Sequence, residues 1–398
     1  MSSYFISNIG TTRFAAGLDC TELLPEELAK KGVRHPLIVT DQIISGLDPF
    51  SKLINSMKKS GMAPVIYDQV TANPKDYEVM DGAAIYKENG CDGVIGIGGG
   101  SCMDSAKGIA AMVRHEGNIM DYGRSTPNRK TFTNGREPLF AIPATTGTGS
   151  ELSPHAVITN TANNNRKSDV HDPIFYNDMF FLDPAFAASQ PDRTVRDTGI
   201  DALSHIIDSY TNRMMLTIDS PLHTAMALEG CRLITTNIRK VIGSDHKDMD
   251  AILALQWGAM LGGAMLDLNA SAIHGLSGAL QKYRHEMTHG ISCGVIMAAC
   301  MNYNLQTAPE KFASLAKAMG EDITGMSTDE AAAASVKAVR KLLQDICFPR
   351  FSDYHFTDAE LHEMAKISAG NSMLPLNARP IESWQEVLGI YLDARDNG

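Results

Sequence analysis

Up to Pro184 the chain alternates short β-branched or aromatic runs with amphipathic stretches, and beyond Pro184 the alternation stops. PLIVT (36–40), APVIYD (63–68), DGVIGIGGG (92–100), PLFAIPATT (138–146), AVITN (156–160) and MFFLDP (179–184) read as strands. Segments 77–90 and 101–117 between them carry helical spacing. A chain of βα units predicts a mostly parallel sheet covered by helices. From about Asp192 the sequence is rich in Ala, Leu, Met and Glu, with helical periodicity over 198–213, 219–242, 248–267 and 327–346. The expected architecture is therefore an α/β, Rossmann-like domain over 1–187 followed by an all-α domain over 188–398.

Length and composition agree with two soluble domains: 398 residues, 44% hydrophobic and 20% charged, with ordinary glycine and proline usage. A net charge of −11, from 46 acidic and 35 basic residues without a Lys/Arg run, disfavours nucleic acid and anionic membrane as partners. The seven cysteines are odd in number, scattered and free of C-x-x-C pairing. That pattern predicts reduced thiols, with neither a disulfide framework nor a thiolate zinc site. The first seventeen residues lack the pattern of a signal peptide, and no apolar run is expected to reach the length needed to span a bilayer. A cytoplasmic protein is expected.

GIGGGS (96–101) follows an apolar strand and opens a helix, where glycines let the backbone approach a pyrophosphate and the helix N-terminus offers unpaired amides. Ser101 stands where G-x-G-x-x-G has its last glycine, so the loop alone is weak evidence. Asp41 ends the first strand, placed to bond a ribose diol and repel a 2′-phosphate. PATTGTGSE (143–151) adds a second small-residue loop at a strand end. An N-cap is the plain alternative for Asp41, and a turn for the threonines. Three such loops at strand ends together favour a nucleotide site.

GIDALSH places Asp201 and His205 four residues apart in a helical segment, so both face one way. His274 and His289 lie at the two ends of a later stretch, and one carboxylate with three imidazoles makes a divalent-metal set. A competing pattern is H-E-x-x-H, spelled by His285, Glu286 and His289, the zinc-protease signature. Its extended form fails, because Ser292 and Val295 occupy the later positions.

GGGSCMDSAK (98–107), TTGTGSE (145–151), FLDP (181–184) and GIDALSH (199–205), followed by two distant histidines, resemble the group III, iron-dependent alcohol dehydrogenase family. The resemblance implies a dinucleotide-binding first domain, a helical metal-binding second domain, and Fe²⁺ or alternatively Zn²⁺ held by Asp201, His205, His274 and His289. It further implies NAD(H) contacts at Asp41, Asn73, Gly99, Gly100, Ser101, Thr145, Thr146 and Lys167, with Asp41 arguing against NADP(H). Family members commonly carry a histidine where this chain has Gly278, so proton transfer falls to water, the cofactor ribose or His285. The two distant histidines are fifteen residues apart, about one more than the family's spacing, which makes His285 a fallback ligand. The resemblance also implies self-association into a dimer or larger. A dehydroquinate-synthase-like lyase shares the same general plan and is the alternative of a different reaction class.

The expected reaction is reduction of a short aldehyde to the primary alcohol, and its reverse. His155 falls in a stretch that in the family runs near the nicotinamide, and Tyr283, Arg284 and His285 crowd the metal-ligand segment with polar groups. Catalytic roles are therefore expected at His285 and His155. A guanidinium suits an anionic tail, which points to sulfoacetaldehyde, giving isethionate, ahead of phosphonoacetaldehyde and succinic semialdehyde.

Overall fold

The computed structural model describes residues 12–218 and 220–398. Residues 1–11, on which the absence of a signal peptide was mostly read, and Asp219, where a helix was expected to begin, lie outside the described residues. Two compact units divide the chain, one ending at Gln190 and the other running Pro191–Gly398.

The first unit contains β1 (Arg13–Ala16), β2 (Pro36–Val39), β3 (Val65–Tyr67), β4 (Gly93–Gly98), β5 (Leu139–Pro143), β6 (His155–Asn160), β7 (Arg166–His171) and β8 (Met179–Leu182). Its helices are α1 (Leu24–Lys30), α2 (Gln42–Ser45), α3 (Asp48–Lys59), α4 (Asp76–Glu88), α5 (Gly100–Met112) and α6 (Pro184–Ala187). Six strands form one parallel sheet in the order β1-β8-β5-β4-β2-β3. Every residue of β2, β4, β5 and β8 is buried, because helices cover both faces. Alternate side chains feed two cores: Leu37, Val39 and Val94 on one face, Ile38, Ile95, Ile97 and Phe140 on the other.

The parallel α/β expectation holds, with three differences. AVITN is not in the main sheet: β6 pairs antiparallel with β7 in a separate hairpin, Ile158 opposite Ser168. The polar sequence of β7, RKSDVH, and the four-residue length of β1 left neither with a hydrophobic signature.

The second unit is helical, as expected: α7 (Asp192–Thr211), α8 (Arg213–Ile218), α9 (Pro221–Gly243), α10 (Met249–Met265), α11 (Ala272–Tyr283), α12 (His289–Asn304), α13 (Pro309–Ala318), α14 (Thr328–Asp345), α15 (Asp358–Ser368) and α16 (Trp384–Asn397). α7 is its axis, packed by α9, α10 and α12 and buried continuously from Gly199 to Thr211. α10 corrects one expectation. Met249–Leu268 is long and apolar enough to cross a membrane, which corrects the expectation that no run is, yet about two thirds of its most apolar stretch is buried inside the unit. It is apolar all round because neighbours surround it, and at Gly262 a Cβ would come within 3.0 Å of the Ala202 carbonyl on α7.

Candidate metal centre and dinucleotide loop

In the first unit, the chain leaves β2 for β3 on one side and returns to β4 on the other. The strand order therefore reverses between the carboxyl ends of β2 and β4, the place where open α/β sheets bind ligands. Asp41 follows β2 there. Its Oδ1 accepts from the Ile43 and Ile44 amides at 2.9 Å each, so it caps α2, and its Oδ2 accepts from the Cys102 thiol at 3.5 Å. The glycine loop stands alongside. Gly98 has φ 146°, and a Cβ on it would lie 2.6 Å from the Cys102 sulfur. A Cβ on Gly99 would come 3.2 Å from Thr145 Cγ2, and one on Gly100 2.9 Å from Thr148 Cγ2. The two small-residue loops thus pack on each other at the ends of the neighbouring strands β4 and β5.

Two features fit this place to a dinucleotide. No side chain caps the N-terminus of α5, which begins at Gly100 and Ser101, leaving its first amides for an anion. The buried Oγ1 atoms of Thr145 and Thr146 have no hydrogen-bond partner. Asn73 and Lys167 meet elsewhere, at the β6–β7 hairpin. The Asn73 carbonyl accepts from Thr159 Oγ1 at 3.2 Å, and Lys167 stands opposite Thr159 on β7. Both are exposed, and Asn73 has φ 55°.

A buried lysine ties these parts together, and its role was not read from the sequence. Lys107, fully buried on α5, donates at 2.7 Å to Ser150 Oγ and at 2.7 Å to the His155 carbonyl, and pairs with Asp104 at 3.4 Å. Burial holds its ammonium below the usual value despite Asp104. Beside it, burial raises the Glu151 carboxyl to about 7, and its Oε2 has no partner. His155 opens β6 with Nδ1 2.9 Å from Asp169 Oδ1 and its ring 4.5 Å from that of His171. Its Nε2 is buried and unpartnered.

In the second unit, α7 presents Asp201, His205 and Asp208 along one side, spaced by four and three residues. The His205 ring stacks 5.0 Å from that of His274 on α11, which lies 5.4 Å from that of His289 on α12. Asp201 Oδ1 is 3.9 Å from His205 Nε2 and 3.6 Å from His289 Nε2. The four expected ligands therefore converge from three helices.

Asp208, absent from the sequence reading, organises one side of this cluster. Its Oδ1 accepts from Ser271 Oγ at 2.8 Å and the Ile273 amide at 3.1 Å, and its Oδ2 from the His274 amide at 3.0 Å. It thereby caps α11. The same Oδ2 is 2.9 Å from His274 Nδ1, so Nδ1 carries the proton and Nε2 offers a lone pair. That Nε2 is buried without a partner, which fits a metal ligand. Burial pushes the Asp208 carboxyl up, but His274 outweighs it and leaves the pKa below the ordinary range. For His274, burial is outweighed in turn by Asp208 and the pKa rises.

His289 is placed by its neighbours. Thr288 caps α12 by accepting from the Ile291 amide at 3.2 Å, and its hydroxyl donates to Asp197 Oδ2 at 2.9 Å. A Cβ on Gly290 would fall 1.8 Å from the Asp197 carbonyl, so only glycine lets α12 start this close to α7. The same geometry removes the protease pattern. α11 ends at Tyr283 and α12 begins at His289, with His285 and Glu286 exposed on the turn between. H-E-x-x-H needs both histidines on one helical face, and here a loop separates them. His285 stands exposed on that turn and is not in the group of clustered metal-ligating atoms found among the described residues, so the fallback-ligand expectation gains no support. Arg284 is committed elsewhere, with donors at 3.0 Å to both Glu360 oxygens and at 2.9 Å to the Tyr354 carbonyl. The guanidinium argument for an anionic substrate therefore lapses.

Comparison with known proteins agrees across nearly the whole chain. Residues 11–184 match the family description "Iron-containing alcohol dehydrogenase", and residues 195–394 match "Fe-containing alcohol dehydrogenase family, C-terminal". The choline dehydrogenase of Bacillus subtilis (strain 168) is 33% identical, over 88% of this chain and 85% of that protein. The 1,3-propanediol dehydrogenase of Klebsiella pneumoniae is 29% identical over 99% of both chains. A crystal structure of 1,3-propanediol oxidoreductase superposes with a TM-score of 0.90 at 28% identity, covering 98% of this chain and 100% of that one. Fold, ligand cluster and comparisons converge: this chain is a member of the iron-containing alcohol dehydrogenase family, and an oxidoreductase.

Proposed function

We propose that this oxidoreductase interconverts a short polar primary alcohol and its aldehyde, using NAD(H) and a divalent metal, Fe²⁺ first and Zn²⁺ as the alternative. One observation carries the reading: Asp201, His205, His274 and His289 converge in the helical unit, with the His274 Nε2 buried and unpartnered. When bound, the metal supplies Lewis acidity and the nicotinamide supplies or accepts hydride. Asp208 holds the proton on His274 Nδ1, and Thr288 with Gly290 seats His289. Ser101 and the first amides of α5 receive the pyrophosphate, Thr145 and Thr146 add hydroxyl donors, and the Asp41 carboxylate selects against a 2′-phosphate. Asn73 and Lys167 extend the cofactor contacts from the hairpin. His155, oriented by Asp169, holds or delivers a proton through Nε2. His285, exposed on its turn, is the second proton carrier.

The substrate reading is a small aldehyde with a polar tail, and sulfoacetaldehyde remains the first anionic member to assay. Arg284, bound to Glu360, is not counted toward recognition of the tail. NADH oxidation with sulfoacetaldehyde and 3-hydroxypropanal, and NAD⁺ reduction with choline, sort the tail by charge. The reading expects turnover with at least one member well above that with butanal; equal turnover of all of them contradicts it. The enzyme is read as cytoplasmic, in keeping with seven unpaired cysteines. It is also read as a homo-oligomer, which light scattering checks by a mass above 43.1 kDa.

A further inference from the structure

Ser101, Asp104 and Lys107 follow one another at three-residue spacing on α5, so they lie along one side of that helix. Ser101 stands in the first turn, at the glycine loop, while Asp104 and Lys107 reach across to β6. Lys107 Nζ donates to the His155 carbonyl at 2.7 Å, and Asp104 Oδ2 accepts from the Val157 amide at 2.9 Å. Those two backbone groups are two residues apart and point to the same edge of β6, the edge turned away from β7. Farther along that edge the Thr159 amide donates to the Pro74 carbonyl at 2.7 Å. Two side chains of α5 therefore do for β6 what a neighbouring strand would do, and they set where His155 sits along the helix. Ser150 closes the network, its Oγ accepting from Lys107 at 2.7 Å and donating to Asp104 Oδ1 at 2.6 Å.

We propose that Lys107 and Asp104, with Ser150, are positioning residues for the reaction: they fix the backbone at His155, and with it the buried Nε2, relative to the α5 turn that receives the cofactor. The inference rests on the reading of His155 as a proton carrier. A methionine would fill the space of Lys107 without the cost of burying an ammonium, a cost that is offset only when the charge is paired and its donors are used. Here the three donors meet Ser150, His155 and Asp104. The work is divided: Asp169 orients the imidazole through Nδ1 at 2.9 Å, and the α5 clamp holds the main chain that carries it. None of the three clamp residues takes part in the chemical step; each acts through the place of His155.

A double-mutant cycle on the full-length, metal-loaded enzyme tests this by single-turnover NADH oxidation at saturating cofactor, with the fastest aldehyde among 3-hydroxypropanal, sulfoacetaldehyde and butanal. Lys107→Met is expected to slow the step about 10–100-fold, the weight of a misplacement near 1 Å. In a His155→Gln background the same substitution should change the rate by no more than about twofold, because a residue that acts through His155 has nothing left to position. Ser150→Ala, which removes one contact and leaves the ammonium paired, should show the same pattern with a smaller loss, and it carries the test if Lys107→Met does not fold. In the protein without metal or cofactor, the His155 imidazole NMR signal, identified by its absence in His155→Gln, should shift in both variants. An unmoved signal, an unchanged rate, or an equal loss in both His155 backgrounds overturns the proposal and leaves the proton-carrier reading standing. A wild-type rate in His155→Gln overturns that reading and the inference with it. Wild-type turnover of none of the three aldehydes overturns the proposed reaction itself and the inference resting on it.

Discussion

At the residue scale, Asp208 shows what the sequence displayed and what it withheld. The 201, 205 and 208 spacing is visible in GIDALSHIID, but only folding shows that the last carboxylate caps α11 and fixes the His274 tautomer. An aspartate on a helix face is ordinarily a solvated group, so nothing in the one-dimensional pattern singled it out. Asp208→Asn retains an acceptor for the α11 amides but turns an NH₂ or a neutral oxygen toward His274. Nδ1 is then free to lose its proton to Nε2, which removes the metal's lone pair. Metal affinity measured by chelator competition is expected to fall about 10–100-fold, the usual weight of such an orienting partner. Unchanged affinity would show that Asp208 serves only as a cap.

At the element scale, the strand-to-helix loop was readable and its reason was not. GIGGGS announced a turn after a strand, yet the glycines are also required by the neighbouring loop, since a Cβ on Gly100 meets Thr148 at 2.9 Å. Contacts between loops at the ends of adjacent strands depend on strand order, which local sequence does not carry. Gly100→Ala should therefore displace both loops together, costing about 1–3 kcal/mol of stability by overpacking and weakening NADH binding. Denaturant unfolding and fluorescence titration read the two effects, and full NADH affinity in a destabilised variant would detach the loop from the cofactor. Glu151, in the same loop, gives a pH signature. Its folded pKa is raised from 4.5 to about 7, chiefly by burial. Between those values the folded state holds the proton more tightly, so this contribution to stability is full below pH 4.5, declines as pH rises toward 7, and is constant above. The shift corresponds to about 3 kcal/mol. Glu151→Gln should flatten that part of the stability profile between pH 4.5 and about 7; a profile with the wild-type slope would place the titration elsewhere.

At the scale of the whole molecule, the change of texture after Pro184 foretold a parallel α/β unit followed by a helical one, because apolar strands and long amphipathic helices are encoded locally. The four-residue β1, the polar β7 and the detachment of the β6–β7 hairpin escaped that reading, since their pairing is set by partners far away in sequence. The H-E-x-x-H string failed for a related reason: helix boundaries decide whether two histidines share a face, and α12 begins only at His289. Four ligands spread from Asp201 to His289 acquire meaning only when α7, α11 and α12 bring them together. The central claim is that this convergence binds the metal on which reduction depends. Its most direct test is the rate of NADH oxidation with a short aldehyde, measured on one preparation as purified, after chelation, and after reloading with Fe²⁺ or Zn²⁺. The expected result is turnover that disappears on chelation and returns with the metal; turnover undiminished after complete metal removal would contradict the account.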